Sequence, residues 1–522
     1  MENSKTEKIS GFEKASNAFG KVGAFFGNQR HFASIRDAFA TFMPLIIVGS
    51  FGVLVNSVFI DPNSLLATLV GVTQDKNPQA FLNWTHVAFY LSPIFTGISG
   101  ATMSFFSIYM AFLFGYFLTG SYGENKVFGG LVGLAAFLTL NPIAAGGENP
   151  SLYLGTQGVL MAMFTGLAAP MILVKLNGVS KLKIKMPEGV PPAVADSFSS
   201  LLPLMITIVV FGLIQPIWGG IAMASGIAGT QSDINIEIYY LFGAVYKFLF
   251  MPLTNAANSP YMIFIILFLI GLFWFFGVHG NNVVQPFVVA FWTVATIQNI
   301  DILSSYGSLS AALASGELNI WTEQTMNSFA LMGGASSTIA LLIVVSIFSK
   351  LPAQTTVRNV ALPAGVFNIS EPVMFGLPII LNPIYFIPFI FTGAIQGMVA
   401  YLFTFLGWVN PVTVMVPWTT PMFISGFLST QDWRSLILTS INLLIALAFY
   451  LPFVIFDVKT QVKELSKEEN ISPEEYLKKQ KEDFAKNKIK RKDLKKENKQ
   501  IKLEAKKEDK KTKIKEEKDI KK

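Results

Sequence analysis

Long charge-free apolar runs, separated by short polar or turn-forming stretches, recur along most of the chain. A helix that crosses a bilayer needs about 20 mostly apolar residues. The pattern predicts ten such spans, at approximately 38–59, 94–118, 127–143, 156–174, 201–225, 260–278, 283–300, 329–349, 384–408 and 435–456. Two further apolar stretches, 360–383 and 412–428, are interrupted by Pro, Gly and Asn. Backbone broken at membrane depth has amides and carbonyls that only protein or a water-filled cavity can satisfy, so both stretches read as re-entrant hairpins. The predicted fold class is an all-α polytopic membrane protein of about ten transmembrane helices plus two re-entrant hairpins, followed by a disordered, charged C-terminal tail.

The placement of Lys and Arg supports this count independently. Arg30 and Arg36 precede the first span, Lys126 follows the second, Lys175, Lys181, Lys183 and Lys185 follow the fourth, Lys350 and Arg358 follow the eighth, and a basic tail follows the tenth. All fall on one side if both termini are cytoplasmic, as the positive-inside rule requires. The opposite loops are assigned Asp61, Asp75, Glu148, Asp233, Glu237, Asp301, Glu317 and Glu323. Residues 186–198, MPEGVPPAVADSF, hold three prolines and so form an elbow and short interfacial helix rather than one long helix. The expected organisation is a cytoplasmic segment at 1–37, an N-terminal membrane half at 38–230, a C-terminal membrane half with the hairpins at 231–457, and a Lys/Glu-rich tail at 458–522. Residues 233–250 read as an amphipathic connector between the halves.

Composition changes the picture in three ways. Of 522 residues, 52% are hydrophobic and 14% charged, against roughly 25% charged in a soluble domain, which excludes a water-soluble globule. The formal charge of +7 is uneven: residues 458–522 hold 24 of 40 Lys and Arg and 15 of 33 Asp and Glu, so the tail carries +9 and the rest −2. The basic excess is one solvated appendage, and nucleic acid is not implied. There is no Cys, which excludes disulfides, thiolate-held metal and any phosphorylatable thiol within this chain. The polar N-terminus has no signal-peptide pattern.

Two ionisable residues stand out. Between Arg358 and Asp432 lie 73 residues whose only formal charge is Glu371, and a carboxylate at membrane depth is a functional-site hypothesis by default. Its plainer reading is a hydrated hairpin mouth or a helix cap. Between Lys247 and Asp301, His279 is the only side chain that titrates near neutral pH; a satisfied turn residue is its plainer reading. Asn281, Asn282, Asn368 and Asn382 stand near these two in sequence, and Trp418 sits in VPWTTP. Carbohydrate has an apolar ring face and a rim of hydroxyls, which aromatic, amide, imidazole and carboxylate groups suit. For any one Trp or Asn an interfacial or turn role remains the commoner explanation. The spacing offers no metal site, and no cofactor is expected.

Several stretches resemble component IIC, the membrane subunit of the bacterial phosphoenolpyruvate-dependent sugar phosphotransferase system, in its lactose, cellobiose and diacetylchitobiose branch. They are GNQRHFASIRDAF, KMPEGVPPAVADSF, GVHG, ALPAGVFNISEPVMFGLPIILNP and VPWTTPMFISGFLSTQDWR, spread from about residue 20 to 456. The resemblance implies a homodimer of ten-span protomers. The first five spans would form its scaffold, and the last five with the hairpins would hold one disaccharide. It places the family's His on His279, its Glu on Glu371 and a sugar-stacking Trp on Trp418. One departure is Ser370, where many members carry Asn in an NINEP string. The family's phosphoryl donor is a phosphocysteine on a IIB domain, itself charged by a IIA protein. Lacking Cys, this chain is expected to use IIB from another polypeptide.

The resulting reading is a permease of the bacterial cytoplasmic membrane. It carries a β-linked disaccharide or aryl-glucoside inward and presents the sugar 6-hydroxyl to phospho-IIB, with His279 and Glu371 catalytic. His279, Asn281, Asn282, Asn368, Glu371 and Trp418 are expected to bind the sugar. Two other classes compete: an ion-coupled secondary transporter, which also uses broken helices and isolated carboxylates, and a membrane sensor that signals through its basic tail.

Overall fold

The computed structural model describes residues 21, 25, 29–62, 64, 66–67, 70–72, 74–142, 153–184, 187, 198–230, 233–377, 379–480 and 482. Most of the elbow at 186–198, Glu148, most of the first 28 residues and the end of the tail lie outside them. Among the described residues the regular secondary structure is helical, apart from a two-residue antiparallel ladder pairing Gly229 with Ile234 and Thr230 with Asp233.

The helices are α1 (Arg30–Val55, prolonged by a π turn to Ile60), α2 (Pro78–Met103), α3 (Phe106–Ser121), α4 (Lys126–Leu140), α5 (Val159–Asn177) and α6 (Leu201–Ala224). Next come α7 (Leu241–Ala257) and α8 (Pro260–Phe275), bent 64° at their joint, and α9 (Gly280–Tyr306). Then follow α10 at 323–330, α11 (Thr338–Phe348), α12 (Pro352–Val366), α13 (Glu371–Gly376), α14 (Phe386–Phe405), α15 (Met422–Thr430) and α16 (Arg434–Glu468). Among the described residues, eight helical stretches are long and apolar enough to cross a membrane, nine if the bent α7–α8 pair counts as one. Each of the ten expected spans overlaps a helix. Asn77, Asn125 and Ser259 start α2, α4 and α8 by accepting first-turn amides, the usual task of such residues at an N-cap.

Polarity is arranged for a lipid surround. Val209 and Ile217 on α6 are each 59% exposed while Asn299, Gln324, Gln396 and Asn442 are fully buried. Two apolar cores divide the described chain. One gathers α1, α3, α4, α5 and part of α7; the other gathers α8, α11, α14 and α16. Helix α9 serves both, giving Val284, Val288 and Trp292 to the second and Val289, Val294 and Ile297 to the first.

Both hairpins are present. In the first, α12 descends, the chain turns at Asn368, and α13 returns with Gly376 against Val357. In the second, an extended limb at 409–417 turns at 418–420 into α15, and the Thr413 and Val414 amides donate to Ser429 O. The expected span 329–349 is not continuous. Between α10 and α11 the sequence GGASS takes positive φ at Gly333, Gly334, Ser336 and Ser337, which the two glycines admit without a Cβ clash. The exposed backbone groups find partners: Phe329 O accepts from Asn442, Gly333 N–H donates to Asn368 Oδ1, and Ser336 O accepts from the Tyr450 hydroxyl. That satisfaction is what permits a break inside a membrane.

Two acids expected in loops lie elsewhere. Asp301 is within α9, and Glu323 opens α10 with 5% exposure, because Thr322 caps that helix by accepting the Thr325 amide and draws residue 323 into the bundle. The last span likewise continues past 457 as one helix to Glu468. Beyond it Tyr476 folds back onto Leu351 and Val462.

Candidate functional site

A cavity of about 420 Å³ lies at the meeting of the first hairpin, the second hairpin, the α10–α11 break and the start of α9. All six residues expected to bind sugar line it: His279, Asn281, Asn282, Asn368, Glu371 and Trp418. Asn382 is not among its lining residues; it caps the turn at 383–385, accepting the Ile384 amide.

His279 is the N-cap of α9. Its Nδ1 accepts the Asn282 amide at 3.3 Å, so the neutral imidazole carries its proton on Nε2. That nitrogen stands 3.9 Å from Glu371 Oε1, with the two side chains 42% and 48% exposed. The gap exceeds a direct hydrogen bond, and a hydroxyl seated beside both groups can accept from Nε2 while donating to the carboxylate. The Trp274 ring lies 4.3 Å from the imidazole, centroid to centroid, and its indole N–H donates to Asn281 Oδ1 at 3.1 Å. Asn281 therefore has its amide N–H groups to offer as donors.

Asn368 has a different job. With φ of 63°, a conformation Asn tolerates better than most residues, it sits at the hairpin tip. Its Nδ2 donates to Trp418 O at 2.6 Å and Thr420 O at 3.0 Å, and its Oδ1 accepts the Gly333 amide at 2.7 Å. All three breaks in the backbone are pinned by one side chain. The Trp418 indole, 52% exposed, stands over the cavity whose floor Asn368 ties together.

Sequence reasoning missed several lining residues. Glu323, Gln285, Asn327 and Ser370 add polar groups, and Ala40, Met43 and Ile47 of α1 form an apolar wall. Glu323 Oε2 accepts the Thr293 hydroxyl. The signal that marks Glu323 is Thr322 directly before it, a residue type suited to an N-cap. The α1 residues carry no such signal, being indistinguishable from other span positions.

The sequence profile of the family described as "Phosphotransferase system, EIIC" matches residues 36–393. The chain is 30% identical over 495 residues to the PTS system cellobiose-specific EIIC component of Lactococcus lactis subsp. lactis, covering 85% of this chain and 97% of that protein. It is 30% identical over 456 residues to the PTS system oligo-beta-mannoside-specific EIIC component of Bacillus subtilis, covering 85% and 93%. Among solved structures it is similar to the transporter ChbC, the IIC component from the N,N'-diacetylchitobiose-specific phosphotransferase system. That likeness has a TM-score of 0.71 at 26% identity and covers 88% of this chain and all of that one.

Proposed function

Because this chain belongs to the phosphotransferase system EIIC family, as a multi-pass membrane component of a sugar phosphotransferase system, we propose that it binds a β-linked disaccharide and carries it inward for 6-phosphorylation. The sugar class is that named for its relatives: cellobiose, oligo-β-mannoside or diacetylchitobiose. The observation that carries this reading is the convergence of His279, Asn281, Asn282, Glu371 and Trp418 on one cavity. A stacking ring, amide donors and a hydroxyl-sized gap between imidazole and carboxylate suit a neutral sugar.

The donor is phosphocysteine on a separate IIB protein, since this chain has no Cys. The sugar 6-oxygen attacks phosphorus, the S–P bond breaks, the O–P bond forms, and the hydroxyl proton passes to Glu371. His279 holds the attacking oxygen through Nε2–H and offsets charge gathering on the phosphoryl group. Both termini are cytoplasmic, as the Lys and Arg distribution requires. Two copies pair through the half before about residue 230, and the hairpin-bearing half moves against that scaffold during transport.

The test measures sugar phosphate formed by membranes holding the full chain, with saturating phospho-IIB and cellobiose. Glu371→Gln keeps size and hydrogen bonding but removes the base, so phosphorylation should fall about 10²-fold or more while sugar binding weakens much less. His279→Gln should weaken both together. Near-normal phosphorylation by Glu371→Gln would show the carboxylate to be structural.

A further inference from the structure

The cavity that holds His279 and Glu371 is lined by a second carboxylate, Glu323. Glu323, Met326 and Asn327 of α10 line the cavity, the i, i+3, i+4 spacing of one helical face, and Leu331 and Gly334 extend that lining into the break. At one end of that lining Gly334 abuts Ser370, the neighbour of Glu371; a Cβ on the glycine would come within 2.6 Å of Ser370 Cβ. Seven steps of at most about 1.5 Å rise set Glu323 up to roughly 10 Å from Ala330, where the break begins. The second hairpin runs the same way: the Val416 amide donates to Gln324, beside Glu323, and Trp418 O accepts from Asn368, in the hairpin of Glu371.

Glu323 is held and is not self-satisfied. It is 5% exposed, its Oε2 takes the Thr293 hydroxyl, and among the described residues Oε1 has no protein donor while the side chain lines the cavity. The side chain lines the cavity, and a ligand with adjacent hydroxyls would supply donors to that oxygen.

We infer that Glu323 is the recognition group for the ring that is not phosphorylated. It accepts hydroxyl hydrogens of the distal sugar and selects two-ring glycosides whose distal ring is uncharged, against single-ring glucosides and against uronates. The inference rests on the transport reading above. It adds a second pole to the site, with Thr293 as the residue that fixes the carboxylate's orientation.

Binding to the full-length protein in detergent, measured by isothermal titration calorimetry, tests it with cellobiose, methyl β-glucoside and cellobiouronic acid as probes. The unaltered protein should bind cellobiose well above methyl glucoside and should bind the uronate at least tenfold more weakly than cellobiose. Glu323→Gln, which keeps the bond to Thr293, should lose tenfold or more affinity for cellobiose, leave methyl glucoside unchanged and narrow the gap to the uronate. Thr293→Val should weaken cellobiose alone, by less. Equal effects of Glu323→Gln on one-ring and two-ring ligands, no effect on either, or parity of cellobiose and uronate in the unaltered protein would each overturn the assignment. If no β-disaccharide binds the unaltered protein, the transport reading itself falls; that outcome is visible before any variant is made.

Discussion

Replacing Asn368 should loosen the whole site, by an amount that follows from its three bonds. The side chain donates to Trp418 O and Thr420 O and accepts from Gly333 N–H at 2.6, 3.0 and 2.7 Å. Each bond contributes about 1 kcal/mol net, and a buried amide stranded at Gly333 costs about 1–3 kcal/mol more. Asn368→Gly admits the positive φ of 63° and removes only these bonds, so the loss should be about 4–6 kcal/mol. Asn368→Ala loses the same bonds and adds the steric cost of a left-handed backbone, about 1–2 kcal/mol further. Thermal unfolding of the detergent-solubilised protein, followed by tryptophan fluorescence, should show the midpoint of Asn368→Gly falling by roughly 10 °C at about 2–4 °C per kcal/mol, with Asn368→Ala lower still. Cellobiose affinity should fall in both, because the Trp418 backbone is no longer tied to the first hairpin. A midpoint for Asn368→Gly within about 2 °C of the parent, well inside the shift worked from those bonds, would refute the claim that this side chain pins the three breaks.

Other perturbations give equally direct readings. Phosphoenolpyruvate, the general phosphotransferase proteins and IIA, added to this chain without IIB, should yield no sugar phosphate, and product formed under those conditions would contradict the inference from the missing Cys. An epitope placed after Lys522 should resist external protease in intact cells and be cut in inverted vesicles; the reverse pattern would overturn the assigned orientation. Gly334→Ala puts a Cβ against Ser370 at a φ of 101°, so equilibrium binding should show sugar affinity down by about tenfold or more, and unchanged binding would mean the break can shift freely. Asp457 is 2% exposed and its Oδ2 accepts from Gln354, Tyr385 and Gln461. Asp457→Leu should therefore destabilise by about 3 kcal/mol or more and Asp457→Asn by about 1, read from thermal midpoints; equal midpoints for the two variants would sink this account.

The sequence makes the His279–Glu371 part of the site legible because isolation is itself a signal. Glu371 and His279 stand alone in long apolar surroundings, and the Pro- and Gly-broken stretches mark where backbone must leave the helix. Both signals are local. Glu323 lacks that contrast, standing in the polar run WTEQTMNS that reads as a loop until Thr322 is recognised as a cap. The GGASS break hides within an apolar stretch of span length, since its partners Asn368, Gln396, Asn442 and Tyr450 arrive from far along the chain. The chemistry of Asn368 makes it a candidate sugar ligand in the sequence, and its bonds to three backbone groups come only from tertiary pairing. The apolar wall from α1 depends on which face of a uniformly apolar helix meets the other core, and uniform hydropathy carries no phase.

That wall has a consequence for how cargo moves. Ala40, Met43 and Ile47 offer a sugar no hydrogen bond, while every polar lining group comes from residues 274–418. In the transport proposed above, cargo would be fastened to one body and merely touched by the other. As the two slid past each other, a bound disaccharide would ride along without exchanging hydrogen-bond partners. The boundary would then act as a slip plane: resistance there would come from shape and dispersion, spread thinly over three side chains, rather than from bonds that must break in step.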